Sequence, residues 1–64
     1  MKIDPLKLSI AMANKQFSFA RLSEMAGVSR VSLSYINSGK RCKPVTAGKI
    51  AKALDVDVTE LLED

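Results

Sequence analysis

Residues 19–36, FARLSEMAGVSRVSLSYI, decide the fold. Leu22, Met25 and Ala26 form an apolar stripe at helical spacing, and Ser18 just ahead of the stretch is a helix N-cap. Gly27 stops that helix in the way a left-handed cap residue does. Only two residues later Ser29 caps the next helix, whose apolar positions are Leu33 and Ile36. So short a connection makes the two helices cross steeply instead of lying antiparallel. Gly27 supplies the positive φ of the turn and Val28 plugs the gap. Leu22, Ala26, Val28, Leu33 and Ile36 are the expected inward positions of what reads as a helix-turn-helix.

The flanking sequence carries the same helical punctuation. Asp4-Pro5 reads as an N-cap followed by proline at the first helical position, opening a helix that runs to about Asn14 or Lys15. Its expected buried face is Leu6, Ile10, Ala13 and Phe17, at steps of four, three and four. Gly39 closes the helix begun at Ser29. Pro44, with Thr46 as a candidate cap, opens a fourth helix carrying Ile50, Ala51 and Leu54. Asp57-Val58-Thr59-Glu60 is an acidic relative of the capping box and predicts a fifth, with Val58, Leu61 and Leu62 on its apolar side. No run alternates like a strand and no hairpin dipeptide occurs. The expectation is one compact all-α domain of five helices over residues 1–64. Leu61 and Leu62 lie about 100° apart on a helix. If Leu61 fills the core, Leu62 is a candidate contact for a homodimer.

Composition narrows the functions open to such a domain. The 64 residues are 47% hydrophobic and 27% charged, a globular balance. The uncharged stretch 8–14 is far short of the roughly 20 apolar residues of a membrane helix. With only Lys2 ahead of it and no placed cleavage site, it is a poor signal peptide. Histidine is absent and Cys42 is the only cysteine. That excludes disulfides, thiolate or imidazole metal sites and Ser-His or Cys-His nucleophile pairs, and no cofactor is implied. A lone cysteine suits a reducing, cytoplasmic compartment. The net charge of +3 hides a division: residues 1–54 hold all ten Lys and Arg against Asp4 and Glu24, a balance of +8, while residues 55–64 carry −5. The first part therefore suits an anionic partner, nucleic acid or an acidic membrane surface.

The order of residues points to nucleic acid. Leu22-Ser23-Glu24-Met25-Ala26-Gly27-Val28-Ser29, then Leu33, Ile36, Ser38-Gly39-Lys40, Pro44 and Lys49-Ile50-Ala51-Lys52-Ala53-Leu54-Asp55-Val56 resemble the Cro and lambda-repressor-like helix-turn-helix family, also called the XRE family. The likeness continues through residues 58–62. It implies sequence-specific binding of operator DNA by a bacterial or phage regulator, usually a dimer, with base-reading residues on the helix that starts near Ser29. The wheel of that helix agrees: with Leu33 and Ile36 inward, Val31 and Tyr35 point away from the core and Ser34 and Arg30 lie to one side, at about 100° per residue. An outward valine beside a tyrosine suits a thymine methyl and a base edge or phosphate, and Arg30 has the reach for guanine. The ordinary alternatives are a Tyr35 packed on a neighbouring helix and a solvated Arg30.

Arg30, Val31, Ser34 and Tyr35 are thus the base-reading candidates. Lys40, Arg41 and Lys43 are the backbone candidates after the helix, although a helix C-terminus also favours cations without a ligand. Ser29 is needed as a cap in any case, and it and Ser32 sit where a phosphate would meet the helix N-terminus. The resemblance adds Ser18 and Phe19 as a second phosphate site, where relatives commonly carry glutamine at the Phe19 position. Relatives also pair an arginine with a glutamate where this chain has Met12 and Asn37, and Gly48 replaces a bulkier residue. A repressor acting on a palindromic operator is the simplest function. A protein-interaction module on the same fold, an antitoxin or antirepressor working through its acidic tail, is the alternative. No two carboxylates are set for acid–base work, so an enzyme is not expected. The bases also line no helix opposite an apolar face, as membrane-surface binding would need.

Overall fold

Four α-helices and one short 3-10 turn form from these signals, in a computed structural model that describes all 64 residues. Helix α1 (Pro5–Lys15) starts where the Asp4 carboxylate accepts from the Leu6 and Lys7 N–H groups, and stops where Gln16 turns left-handed. Helix α2 (Phe19–Ala26) is capped by the Ser18 hydroxyl and closed by Gly27 at φ 68°. Helix α3 (Arg30–Asn37) is capped by Ser29, and Gly39 beyond its end has φ 94°. Helix α4 (Pro44–Ala53) has Pro44 in its first turn and Lys43, not the expected Thr46, at the cap position, with no side-chain cap bond. Proline needs no partner for its missing N–H, so the helix can start there without a capping hydroxyl.

The fifth helix is reduced to a single 3-10 turn, Val58–Glu60. Its capping signal is genuine: the Asp57 carboxylate accepts from Thr59 N–H at 2.9 Å, and Glu60 accepts from Asp57 N–H at 2.9 Å. The turn ends because Leu62 is drawn into an isolated antiparallel bridge with Ile3. That extended pairing competes with helix continuation, and no strand signal announced it.

Thirteen apolar residues make the core, and no buried side-chain nitrogen or oxygen lacks a partner. Helix α2 packs against α3 and α4, and α1 against α3. Leu22, Ala26, Val28, Leu33, Ile36, Ile50, Ala51, Leu54 and Leu61 are buried as the spacing predicts, and Ile3, Leu8, Ala11 and Ala47 join them. Helix α1 corrects the expectation: Leu6 and Ile10 are 68% and 53% exposed, Ala13 is exposed and Phe17 is half-buried. The buried arc is Leu8 and Ala11, with Met12 partly covered. At about 100° per residue that arc lies on the side shared by Lys7 and Lys15. Burying it brings Lys7 within 3.0 Å of Asp64 and Lys15 within 3.9 Å of Asp55. Met25, assigned to the α2 stripe, is exposed at the edge of that stripe beside Lys49 and Lys52.

Candidate nucleic-acid interface

The helix-turn-helix is held by Ser23. Its carbonyl accepts from Gly27 and Val28 N–H, and its hydroxyl donates to the Val28 carbonyl at 2.6 Å. Sequence reasoning missed this residue, whose signal was a serine four residues before the turn glycine. With the crossing fixed, Leu33 and Ile36 are buried and the opposite face of α3 is open. Val31 is 68% and Tyr35 60% exposed, so Tyr35 does not pack into a neighbouring helix. Both side chains are therefore open to a partner, as are the similarly exposed Leu6 and Val45 elsewhere on the surface.

Two concavities meet on that face. Val31, Ser34, Tyr35 and Ser38 line one, of about 370 Å³. Ser32, Tyr35, Lys40, Arg41, Lys43 and Thr46 line most of the other, of about 410 Å³. Tyr35 belongs to both and joins the open face of α3 to the basic loop of residues 40–43. Thr46 was read only as a cap; one turn inside α4 its side chain reaches this cleft instead. Arg30 stands outside both concavities, exposed, in the first turn of α3.

The helix N-termini carry the remaining candidates. Ser29 Oγ accepts from Ser32 N–H at 3.1 Å and donates to Ser32 Oγ at 3.0 Å, so both hydroxyls hold the start of α3. Ser18 Oγ accepts from Arg21 N–H at 3.1 Å. Phe19 packs its half-buried ring against the core, which leaves its backbone N–H, without an intrachain partner, as its polar group at the start of α2. Met12 joins the core packing while Asn37 is exposed, so only one half of the relatives' ion pair has an apolar substitute.

Charge is sorted by the fold. Glu63, Asp64 and Asp55 pair with Lys2, Lys7 and Lys15, and Glu24 pairs with Arg21. Asp4 caps α1, and Asp57 and Glu60 cap the 3-10 turn. All seven carboxylates are thus engaged within the chain. Arg30, Lys40, Arg41, Lys43, Lys49 and Lys52 have no carboxylate within 4.0 Å. Hydrogen bonds from Thr59 hold the Asp57 carboxyl below its ordinary value. Burial pushes the Cys42 thiol up, with the chain's ammonium group opposing. No group of three or more Cys, Asp or Glu is placed to hold a metal ion, and no helix is long and apolar enough to cross a membrane.

Known proteins show the same arrangement. A single-residue mutant of hydroxyethylphosphonate dioxygenase superposes on the whole chain with a TM-score of 0.88 at 30% identity. A second 2-hydroxyethylphosphonate dioxygenase structure covers 97% of it, with a TM-score of 0.87 at 28% identity. The chain spans only 14% and 15% of those enzymes, so the likeness is to a small helical piece of each. No curated protein matches the sequence. The Cro/C1-type HTH DNA-binding domain matches residues 7–64, nearly the whole chain. With the crossing of α2 and α3, the open α3 face and the unpaired cations beside it, the chain belongs to the Cro/C1-type helix-turn-helix DNA-binding domain family.

Proposed function

We propose that this protein binds double-stranded operator DNA in a sequence-specific manner and acts as a repressor. The observation that carries the reading is the junction at Tyr35, where the exposed, largely uncharged face of α3 meets three unpaired cations of one loop. An α-helix fits the major groove, and the face of α3 offers groups suited to base edges: the Val31 methyls, the Ser34 and Tyr35 hydroxyls and the Arg30 guanidinium. Lys40, Arg41 and Lys43 flank that face as phosphate contacts, together with Ser32, Ser29, Ser18 and the Phe19 N–H. Phosphate contacts fix the register in which the bases are read.

The operator is palindromic in this reading. The domain is 24 Å in its longest dimension, whereas half-sites on one face of the duplex lie about 34–36 Å apart. Reading two half-sites therefore takes two copies. Leu62 is half-buried against Ile3 and contributes only a partial surface to such a dimer. The dioxygenase likeness does not extend the proposal to oxidation, because the chain corresponds to about one seventh of those enzymes. The test is selection of bound sequences from a random duplex pool. Enrichment of a palindrome with half-site centres one helical turn apart supports the proposal. A protein that shifts no duplex at micromolar concentration in low salt refutes it, and favours a protein partner on the same fold.

A further inference from the structure

The basic loop is fixed at both ends by its own helices. Lys40 N–H donates to the Tyr35 carbonyl at 3.2 Å, and the Lys43 carbonyl accepts from Ala47 N–H at 3.0 Å. Its middle is fixed by something else. Cys42 N–H donates to the Met1 carbonyl at 2.8 Å, and Met1 N donates back to the Cys42 carbonyl at 3.0 Å. Arg41 and Lys43 N–H, on either side, have no intrachain partner.

Met1 is itself held by the far end of the chain. Ile3 is fully buried and bridged to Leu62. Asp4 N–H donates to the Leu61 carbonyl at 2.8 Å, Glu63 N–H donates to the Lys2 carbonyl at 3.1 Å, and Lys2 pairs with Glu63 at 3.5 Å. Residues 1–4 therefore run as an extended strap from the C-terminal segment to the centre of the basic loop. They precede the span of residues 7–64 that matches the family.

We infer that residues 1–4 are a positioning strap for DNA binding: anchored by Ile3, they hold the loop of residues 40–43 in the shape that contacts the DNA backbone. This rests on the DNA-binding reading above. The physical reason is preorganisation, since a loop ordered before binding does not lose that freedom on the duplex.

Deleting Lys2 tests it. The deletion keeps Ile3 and the Asp4 cap and moves Met1 into the second position, out of reach of its two bonds to Cys42. Lys2→Met is the control, removing the same charge while keeping the full strap. Relative to that control, the deletion should weaken duplex binding about ten-fold, the equivalent of ordering about one more loop residue. Amide exchange at Cys42 should accelerate while exchange at Leu22 and Leu33 stays slow, and binding is compared below the melting transition of both variants. Equal affinity of the two variants, or unchanged exchange at Cys42, overturns the strap. Failure of the native chain to bind any duplex overturns the DNA reading instead, and with it the strap's role.

Discussion

Replacing Lys40, Arg41 and Lys43 together with glutamine should remove about half of the salt dependence of duplex binding. The magnitude follows from the sorting of charge. Ten basic side chains are present, and four are paired within the chain. The six left are the cations free to displace counterions from DNA. Each phosphate neutralised contributes about 0.9 to the slope of log affinity against log salt, so six give a limit of about −5. The triple variant should fall to about −2.7, and at 0.1 M salt its affinity should drop by roughly 500-fold, three such contributions per decade of salt.

The loss should be uniform across sequences, because phosphates carry no base information. The melting temperature should hardly move, since none of the three side chains makes an ion pair. Equilibrium titration by fluorescence anisotropy, with specific and random duplexes at several salt concentrations, measures both quantities. A control separates loop from bulk charge: Lys7→Gln with Lys15→Gln removes two positive charges that already face carboxylates, and should leave the slope within about one unit of native. If the loop variant keeps the native slope, or loses affinity only for one sequence, the assignment of residues 40–43 to the DNA backbone is wrong.

Ser29→Ala should cost about 1 kcal/mol by losing the bond to Ser32 N–H, a fall of about 4–8 °C in melting temperature. Ser29→Asp should keep the cap and the stability yet weaken duplex binding, because it sets a carboxylate at the start of α3 proposed to meet a phosphate. Leu8→Ala should cost about 2–5 kcal/mol and Leu6→Ala less than about 0.5, by thermal or denaturant unfolding; the reverse order would restore the α1 face first expected. Gly48→Ala should stabilise by about 0.5–1 kcal/mol, since Gly48 lies within α4 and a Cβ there would meet nothing within 4 Å. The Asp57 carboxyl titrates below its unfolded value, so what it adds to stability is complete above that value and lost as pH falls through the folded one. Native protein and Asp57→Asn should therefore converge in melting temperature towards low pH. Cys42 shifts the other way, and its alkylation rate should rise at higher pH than that of a free cysteine.

The helix-turn-helix was legible because its signals are local. Ser18, Gly27 and Ser29 each act within four residues, so reading them needs no knowledge of the rest of the fold. Helix α1 failed for a related reason. It carries two apolar arcs of similar spacing, and periodicity sets the period of a helix but not which arc faces inward. The choice depended on Ile3, Leu61 and the tail carboxylates, which lie far apart in sequence. The fifth helix failed in the same way: its capping box is local and present, whereas the Ile3–Leu62 bridge that ends it spans nearly the whole chain. In the candidate site, outward Val31 and Tyr35 followed from α3 alone. Thr46 needed the packing of α4 beside the loop.

The division of charge along the chain takes on a different meaning once it is folded. Read linearly, +8 followed by −5 suggests a basic part suited to an anionic partner and a separate acidic tail. In three dimensions the tail lies along α1 and the strap, where Glu63, Asp64 and Asp55 neutralise Lys2, Lys7 and Lys15. Exposed pairs of this kind contribute little to stability. Their larger effect is on where positive charge remains: with the α1 and strap lysines countered, the unpaired cations belong to α3, the basic loop and α4. On the DNA-binding reading proposed above, the three loop cations then lie beside the α3 face, while Lys49 and Lys52 stand with Met25 on another part of the surface. Long-range attraction steers encounter and orientation at low salt. Replacing Asp55, Glu63 and Asp64 with their amides should therefore raise the affinity for random duplex more than for the specific site, narrowing the ratio between them.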